Sequence, residues 1–592
     1  MRFSFLVLVF LLFTFRCVGQ GQYLSKGDFY FEKGEYNLAQ LNYETYIEEV
    51  PNDLRVNLKL MEIYLNDFNL KAAKKSYEAL DASLFKANYK HRFLEARYHH
   101  LTGNYKLALK LFHNLNKVHR SHEVDILMGQ CIYALKLKKK SIEVKPFCLE
   151  GVDSSNHNLF PVFNANEDSF IYSSDQGSQT GKTQIIQVYE ESSLPIRVLN
   201  DSIFSSVCVG ASPDFNLLFI YKGINGGDLF YSTYNKNNYT VPKPFEFNTK
   251  DKESAVTISP DGNQIIFVRE KEGSSDLYTS TLSDDSVWST PVLFELNSPN
   301  NERTPFFHPS GQLLFYSVDG TQSIGGYDVV YSRKEEGKWS RPTNLGTYIN
   351  SPGDELGFSL FLSGHKAVYS TNNKNGKQSL RGVELYPSFE QDYMHLKGVL
   401  INEDSIGIEA KIYLRNLDDG HLIRSFKSKT TGEFSFVFDR EGEYSLQVLA
   451  QGYQFISVKL SVNFNQQKEC FKRIMLSRVK SLPTILENIQ FKSKSDQLFQ
   501  NSFYELDNLV DYLKQNSTLQ AEIVGHTDNI GDDQFNKELS LSRANAVKNY
   551  LIVNGISSSR IAARGVGSIS PLFPNDTELN RALNRRVEVM FK

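Results

Sequence analysis

The chain has 592 residues, which at about 150 residues per domain points to about four domains. Lys and Arg number 65 and Asp and Glu 68, a net charge of −3 that excludes a nucleic-acid binder working by bulk electrostatics. Gly (37) and Pro (18) are too few for a collagen-like or low-complexity chain, and 13% aromatics supply enough apolar surface to fold.

Met1-Arg2 precedes a nearly unbroken apolar run, Phe3 to Phe15. As helix such a run rises about 20 Å, short of the ~30 Å bilayer core. Residues 1–20 therefore read as a secretory signal peptide, with small residues for cleavage near Val18-Gly19-Gln20. The rival is a lipid anchor at Cys17, but Thr14-Phe15-Arg16 stand where a lipoprotein signal carries small residues. No later stretch reaches 18 apolar residues, so an exported, periplasmic chain is expected. Cys131, Cys148, Cys208 and Cys470 show no CxxC and no Cys/His cluster. They are expected as buried free thiols, with no metal site and no cofactor.

Residues 23–140 repeat at about 34 residues. Ala39 and Tyr43 recur as Ala73 and Tyr77, then as Ala108 and Phe112, and Gly34-x-Tyr36 recurs as Gly103-x-Tyr105. A small residue lets two helices approach, and an aromatic four positions later lies on the same face. The pattern resembles tetratricopeptide (TPR) repeats, an α-solenoid whose groove implies a protein partner; a purely structural spacer is the other reading.

Residues 152–388 repeat at about 47–53 residues. Ser212-Pro213-Asp214 returns as Ser259-Pro260-Asp261-Gly262 and His308-Pro309-Ser310-Gly311, with weaker copies at Asn164-Ala165-Asn166 and Leu362-Ser363-Gly364. An apolar strand follows each, as in Leu217-Leu218-Phe219-Ile220 and Ile265-Ile266-Phe267-Val268. Both tryptophans fall in one repeated phrase, Trp288-Ser289-Thr290-Pro291 and Trp339-Ser340-Arg341-Pro342. A turn, a buried strand, a second strand and a polar turn per ~50 residues describe a β-propeller blade, and the phrases resemble WD40-like (PD40) repeats of bacterial envelope proteins. Five copies are visible and a sixth is not excluded. The aspartates read as turn caps, since Asp bonds the backbone two residues on.

Residues 393–476 carry about seven short alternating segments, among them Ala410-Lys411-Ile412-Tyr413-Leu414 and Gly442-Glu443-Tyr444-Ser445-Leu446, which predict a small β-sandwich. The Thr431-Gly432-Glu433-Phe434-Ser435-Phe436 turn and the Gly452-Tyr453 ending resemble carboxypeptidase regulatory-like domains, which implies a non-catalytic module.

Residues 484–592 alternate strands and helices. Strands are predicted at Ile485–Phe491, Leu519–Val524, Ile561–Val566 and Arg586–Phe591. Leu506, Leu509, Val510 and Leu513 mark one helix face. A second helix runs through Leu541-Ser542-Arg543-Ala544 and ends at Asn554-Gly555. Four phrases follow in order: Gly525-His526-Thr527-Asp528-Asn529-x-Gly531; Asn536-x-x-Leu539-Ser540-x-x-Arg543-Ala544; Gly555-x-x-x-x-Arg560-Ile561; and Arg581-Ala582-x-Asn584-Arg585-Arg586-Val587. Together they resemble the OmpA C-terminal family, a non-catalytic, peptidoglycan-binding α/β domain. The resemblance implies that Asp528 takes the ammonium of diaminopimelate, Arg543 takes its carboxylate in fork geometry, and Asn536 and Arg585 add a polar and a second anion contact. His526 reads as a packing residue. Two departures stand out: Asn580, where the family usually carries Gly, is expected in a left-handed turn that Asn tolerates, and Lys492, where many members have Asp, weakens one contact to the ammonium.

The expected architecture is multidomain: TPR α-solenoid, β-propeller, β-sandwich and an α/β OmpA-like domain. The order resembles envelope proteins associated with type IX secretion and gliding. The expected function is a non-enzymatic scaffold joining peptidoglycan to envelope proteins; an adhesin or sensor that uses propeller or sandwich on a glycan or protein is the alternative.

Overall fold

The computed structural model describes residues 21–592 apart from 81–87, 138–141, 178–180, 190–191, 202, 225–226, 236–237, 284–286, 374, 466–467, 479–482 and 501. The predicted signal segment and Cys17 lie outside the described residues.

The N-terminal part is helical: α1 (21–32), α2 (Tyr36–Glu49), α3 (Leu54–Asn66), α4 (Leu70–Glu78), α5 (Tyr89–Leu101), α6 (Tyr105–Val118) and α7 (His122–Leu137). Gly34 and Gly103 sit at φ +74° and +77° in the turns before α2 and α6, a conformation that costs glycine nothing. Ala39, Ala73 and Ala108 are fully buried where neighbouring helices meet. Tyr43 and Phe112 fill the same faces, whereas Tyr77 is only partly buried and stacks on Tyr98 at 4.3 Å. No described helix is long and apolar enough to cross a membrane.

Five antiparallel sheets follow. The first is β2 (Asn158–Phe163), β3 (Ser169–Ser174), β4 (Gln184–Tyr189) and β5 (Ser192–Pro195). The second is built on β6 (Ser206–Ala211), β7 (Leu217–Lys222) and β8 (Asp228–Asn235), and the third on β11 (Lys252–Ile258), β12 (Gln264–Lys271) and β13 (Ser274–Thr281). The fourth contains β15 (Glu302–Phe307), β16 (Leu313–Val318) and β17 (Asp328–Glu335); the fifth contains β20 (Glu355–Leu360), β21 (Lys366–Asn372) and β22 (Gln378–Tyr386). The leading strands meet in order, β2 on β6, β6 on β11, β11 on β15 and β15 on β20, and β20 returns to β2. Strand β1 (Glu143–Phe147) pairs with β22, so this unit takes in residues ahead of 152.

The repeated phrases have repeated jobs. Asp214 Oδ1 accepts from the Asn216 amide and Asp261 Oδ1 from the Asn263 amide, both at 3.1 Å. The hydroxyls of Ser232, Ser280 and Ser332 each donate at 2.6 Å to the carbonyl of the residue after the aromatic of the repeated phrase: Thr240, Ser289 and Ser340. Asp328 departs from the turn-cap role: it is fully buried and accepts from Ile324 N and Asn344 Nδ2. The cysteines also differ from expectation. Cys131 and Cys208 are buried, and burial pushes both thiols up to about 12, but Cys148 is exposed and Cys470 partly so; all four are free.

Seven strands then form two sheets over one apolar core that includes Leu396, Ile412, Phe436 and Leu446. In the first, β23 (Met394–Ile401) lies between β26 (Glu433–Phe438) and a parallel edge strand, β29 (Glu469–Met475). The second sheet runs β25 (Leu422–Lys427), β24 (Lys411–Asn416), β27 (Gly442–Leu449), β28 (Ile456–Val462).

The C-terminal unit is a mixed sheet ordered β30 (Thr484–Ile485), β33 (Val587–Phe591), β31 (Ala521–Gly525), β32 (Ile561–Gly565), with α8 (Ser502–Gln515) and α9 (Asp533–Val553) packed on it. The predicted Ile485–Phe491 strand is shorter than expected. A turn breaks it after Ile485 because Asn488 bends toward the sandwich and donates to Ser445 Oγ (2.9 Å) and Ser457 Oγ (2.8 Å). Among the described residues the molecule is therefore multidomain: helices first, then antiparallel sheets, then a mixed α/β domain.

Candidate functional site

Strand β31 ends at Gly525, and the chain runs through His526 and Thr527 to Asp528 before α9 begins. Asp532 caps α9 by accepting from the Phe535 amide at 2.8 Å. Arg543 lies on the same helix, on the side that packs against the sheet. Asp528 and Arg543 are 7% and 6% exposed, unusually buried for charged residues, so their surroundings decide their role.

Asp528 Oδ1 accepts from the Ile530 amide at 3.0 Å and Oδ2 accepts from Arg585 Nη1 at 2.7 Å. Arg585 Nη2 donates to Glu578 Oε1 at 3.0 Å. Burial works against the Arg585 cation, but the bonds to Asp528 and Glu578 outweigh it and hold Arg585 more firmly protonated. Arg543 Nε donates to the Ser495 carbonyl at 3.0 Å, and its guanidinium lies 5.1 Å from the Phe491 ring centre. Burial, then the like charge of Arg585, pull its pKa down, with Asp528 and Asp496 opposing. Asn536, 2% exposed, lies one turn into α9 with Nδ2 3.5 Å from the Gly531 carbonyl.

The structure thus joins Asp528 and Arg585 directly, holds Arg543 within their field, and sets Asn536 beside the Gly531 turn. Three partners were not found from sequence: Glu578, Ser495 and Phe491. Phe491 was legible only as a strand residue; its use as a ring under Arg543 depends on the turn at 492–497, where the Lys492 amide donates to the Gln497 carbonyl. Lys492 itself is exposed.

Other motif residues are architectural. Arg560 donates to the carbonyls of Leu513, Asn516 and Leu519 (2.8–2.9 Å) and caps the end of α8. Asn584 clasps Leu572, Phe573 and Asn575. His526 is buried with Nε2 3.3 Å from Glu588, which Arg586 also bonds at 2.8 Å. Its ring packs beside the buried Arg586–Glu588 ion pair. Asn580 needs a correction too. It occupies the first turn of α10 (Glu578–Asn584), with its amide donating to the Thr577 cap at 3.1 Å, so no left-handed conformation is required there.

The fold and the paired acid and arginines define an α/β domain of OmpA type. Residues 490–585 match the OmpA family. The chain is 41% identical over 101 residues to outer membrane porin F of Pseudomonas fluorescens, covering 17% of this chain and 31% of the relative. It is 36% identical over 102 residues to the peptidoglycan-binding protein ArfA of Mycobacterium bovis, with the same coverage of 17% and 31%. A solved structure, the peptidoglycan-associated lipoprotein from Burkholderia pseudomallei, aligns at 26% identity over 18% of this chain and 88% of its own, with TM-score 0.17. The chain spans about a third of the length of these curated relatives. Among the described residues no group of three or more His, Cys, Asp or Glu is placed to hold a metal ion.

Proposed function

We propose that the chain is a non-enzymatic scaffold of the periplasm that holds envelope proteins against peptidoglycan. The observation that carries this reading is the buried Asp528, paired with the partly exposed Arg585 and set beside the buried Arg543, inside the segment similar to a protein named for peptidoglycan binding. Diaminopimelate presents an ammonium and a carboxylate on one carbon, and recognition takes one anion and one forked cation a few ångströms apart. Asp528 receives the ammonium. Arg543, held at Nε by Ser495 and on its face by Phe491, offers its Nη edge to the carboxylate. Asn536 and Arg585 complete the contacts.

The helices, with their buried Ala and aromatic repeats, are read as TPR repeats that carry a protein partner. The five sheets are read as a five-bladed propeller: their leading strands neighbour one another around a cycle, and β1 adds a strand from the N-terminal side to the last blade. The two sheets that follow are read as a carboxypeptidase regulatory-like spacer. Residues 1–20 serve as the export signal, with lipidation of Cys17 the alternative. The type IX secretion or gliding machinery is the assembly this domain order favours.

Sedimentation with purified sacculi tests the reading. Wild-type protein is expected in the pellet, and Asp528→Ala and Arg543→Ala are expected in the supernatant. Persistence of both variants in the pellet overturns the site.

A further inference from the structure

The charged centre at Asp528 has a rim, and three stretches of chain build it. The first is the turn after β31. There the Ile530 amide donates to Asp528, and the Phe535 ring lies against Gly531: a Cβ placed on that glycine would stand 3.4 Å from Phe535 Cδ1 and 3.8 Å from the Asn536 side-chain amide. The second stretch follows β32. The Thr527 amide donates to the Gly567 carbonyl at 3.0 Å, and a Cβ on Gly567 would meet the Lys537 amide at 3.2 Å. This stretch is therefore seated between the Asp528 turn and the first turns of α9, and Ile569 stands two residues further on. The third is the start of α10, where Glu578 holds Arg585 and Leu579 comes next.

Each stretch leaves a large apolar side chain in solvent: Ile530 is 59% exposed, Phe535 42%, Ile569 81% and Leu579 72%. One exposed leucine needs no explanation, because apolar atoms make up more than half of a protein surface. Four such side chains on three stretches are another matter, since each lies within two residues of a group that bonds to, or packs on, the same charged centre. Apolar surface gathered around polar groups marks a ligand groove. The charged floor by itself satisfies only the ammonium and carboxylate of a zwitterion. In a wall peptide the diamino acid has one free end; its other end is built into peptide bonds, and alanine is among its neighbours. A ligand fixed at the floor by its free end has to leave past the rim, where its alkyl bridge and the alanine methyls find apolar side chains instead of water.

We infer that the rim of Ile530, Phe535, Ile569 and Leu579 binds the methyl-bearing peptide that flanks the diamino acid, so that the site takes a stem peptide in preference to the free amino acid. The inference rests on the reading of Asp528 and Arg543 as the diaminopimelate site. Calorimetric titration of the full chain uses two probes, free diaminopimelate and the stem tetrapeptide L-Ala-γ-D-Glu-diaminopimelyl-D-Ala. The tetrapeptide is expected to bind the wild type roughly tenfold more tightly, the gain of two methyl groups leaving water. In the double variant Ile569→Ser/Leu579→Ser, whose replaced side chains lie outside the folded core, that advantage is expected to fall below about threefold, with free diaminopimelate binding as it does to the wild type. Asp528→Ala is expected to lose both probes. Equal affinity of the wild type for the two probes, or an advantage that survives in the double variant, overturns the rim and leaves the charged floor standing. Equal loss of both probes in the double variant assigns the two side chains to the shape of their loops and overturns the rim as well. A wild type that binds neither probe overturns floor and rim together.

Discussion

Asp528 serves two masters in the folded chain: the Ile530 amide fixes one oxygen and Arg585 the other. In the proposed complex the ammonium would share the second oxygen with Arg585, which is feasible because a carboxylate oxygen has two lone pairs. The two residues are not equivalent. Asp528 is nearly enclosed, whereas the Arg585 side chain is one-third exposed and shares its charge with the exposed Glu578. Solvent screening discounts the second pair. Calorimetric titration with free diaminopimelate is therefore expected to show Asp528→Asn losing tenfold or more in affinity, from about 1.5–3 kcal/mol for a charge-assisted bond. Arg585→Ala is expected to lose less than Asp528→Asn. Equal losses would mean that Arg585 contributes as much to the site as Asp528 and overturn the distinction.

At the scale of elements, the site exists because α9 lies unusually close to the sheet. Gly525 and Gly565 are paired across β31 and β32. A Cβ on Gly525 would stand 2.1 Å from the Ser540 carbonyl, and one on Gly565 2.4 Å from the Leu541 amide. The helix backbone thus rests directly on two glycines, and Arg543 follows within a turn. Gly525→Ala must push α9 outward, at a cost of about 1–3 kcal/mol or more. A lowered melting temperature and weaker sacculus binding are the expected results; an unchanged melt would refute the close packing. The phrase around Gly525 and the strand around Gly565 were legible in the sequence, but their contact with α9 was not, since a parallel pairing brings together residues 40 apart. The strand predicted at Ile485–Phe491 failed for a similar reason: its apolar residues are real, but Asn488 is bound by serines of another domain.

At the scale of the molecule, the sandwich and the C-terminal unit are joined by a buried polar seam. Glu505 Oε2 accepts from Ser457 Oγ (3.1 Å) and the Asn488 amide (3.0 Å), and Tyr512 Oη donates to the Tyr453 carbonyl at 2.7 Å. Leu449 and Phe455 of the sandwich sit in the same apolar cluster as Leu506 and Val589. Burial pushes Glu505 up to about 7, with its hydrogen bonds opposing. An acid whose pKa is raised by folding holds its proton longer in the folded chain. Its contribution is therefore complete below the unfolded value, near 4.5, and is lost as pH climbs toward 7. Glu505→Gln removes that titration. The difference in melting temperature between variant and wild type is expected to move in the variant's favour from pH 5 to pH 8, by an amount on the order of a few degrees. A constant difference would show that Glu505 is ionised in the folded chain. At the other end, Gln130 of α7 reaches into the fourth sheet and donates to the Gly325 carbonyl at 2.7 Å, so the helices are also fastened to the sheets.

The sequence by itself determined what is local or repeated. Alanine–aromatic spacing marked the helices, Ser-Pro-Asp turns marked the sheets, and four ordered phrases marked the C-terminal domain, because periodicity and turn chemistry act within a few residues of the chain. It also identified Asp528 and Arg543 as residues of interest. Only the tertiary structure decided their circumstances: Arg585 bound to Asp528 across 57 positions, Arg543 held by Ser495 from 48 positions away, and Glu588 beneath His526. Sequence encodes these contacts only through the fold, since burial and charge pairing depend on which distant segments the packed core brings together.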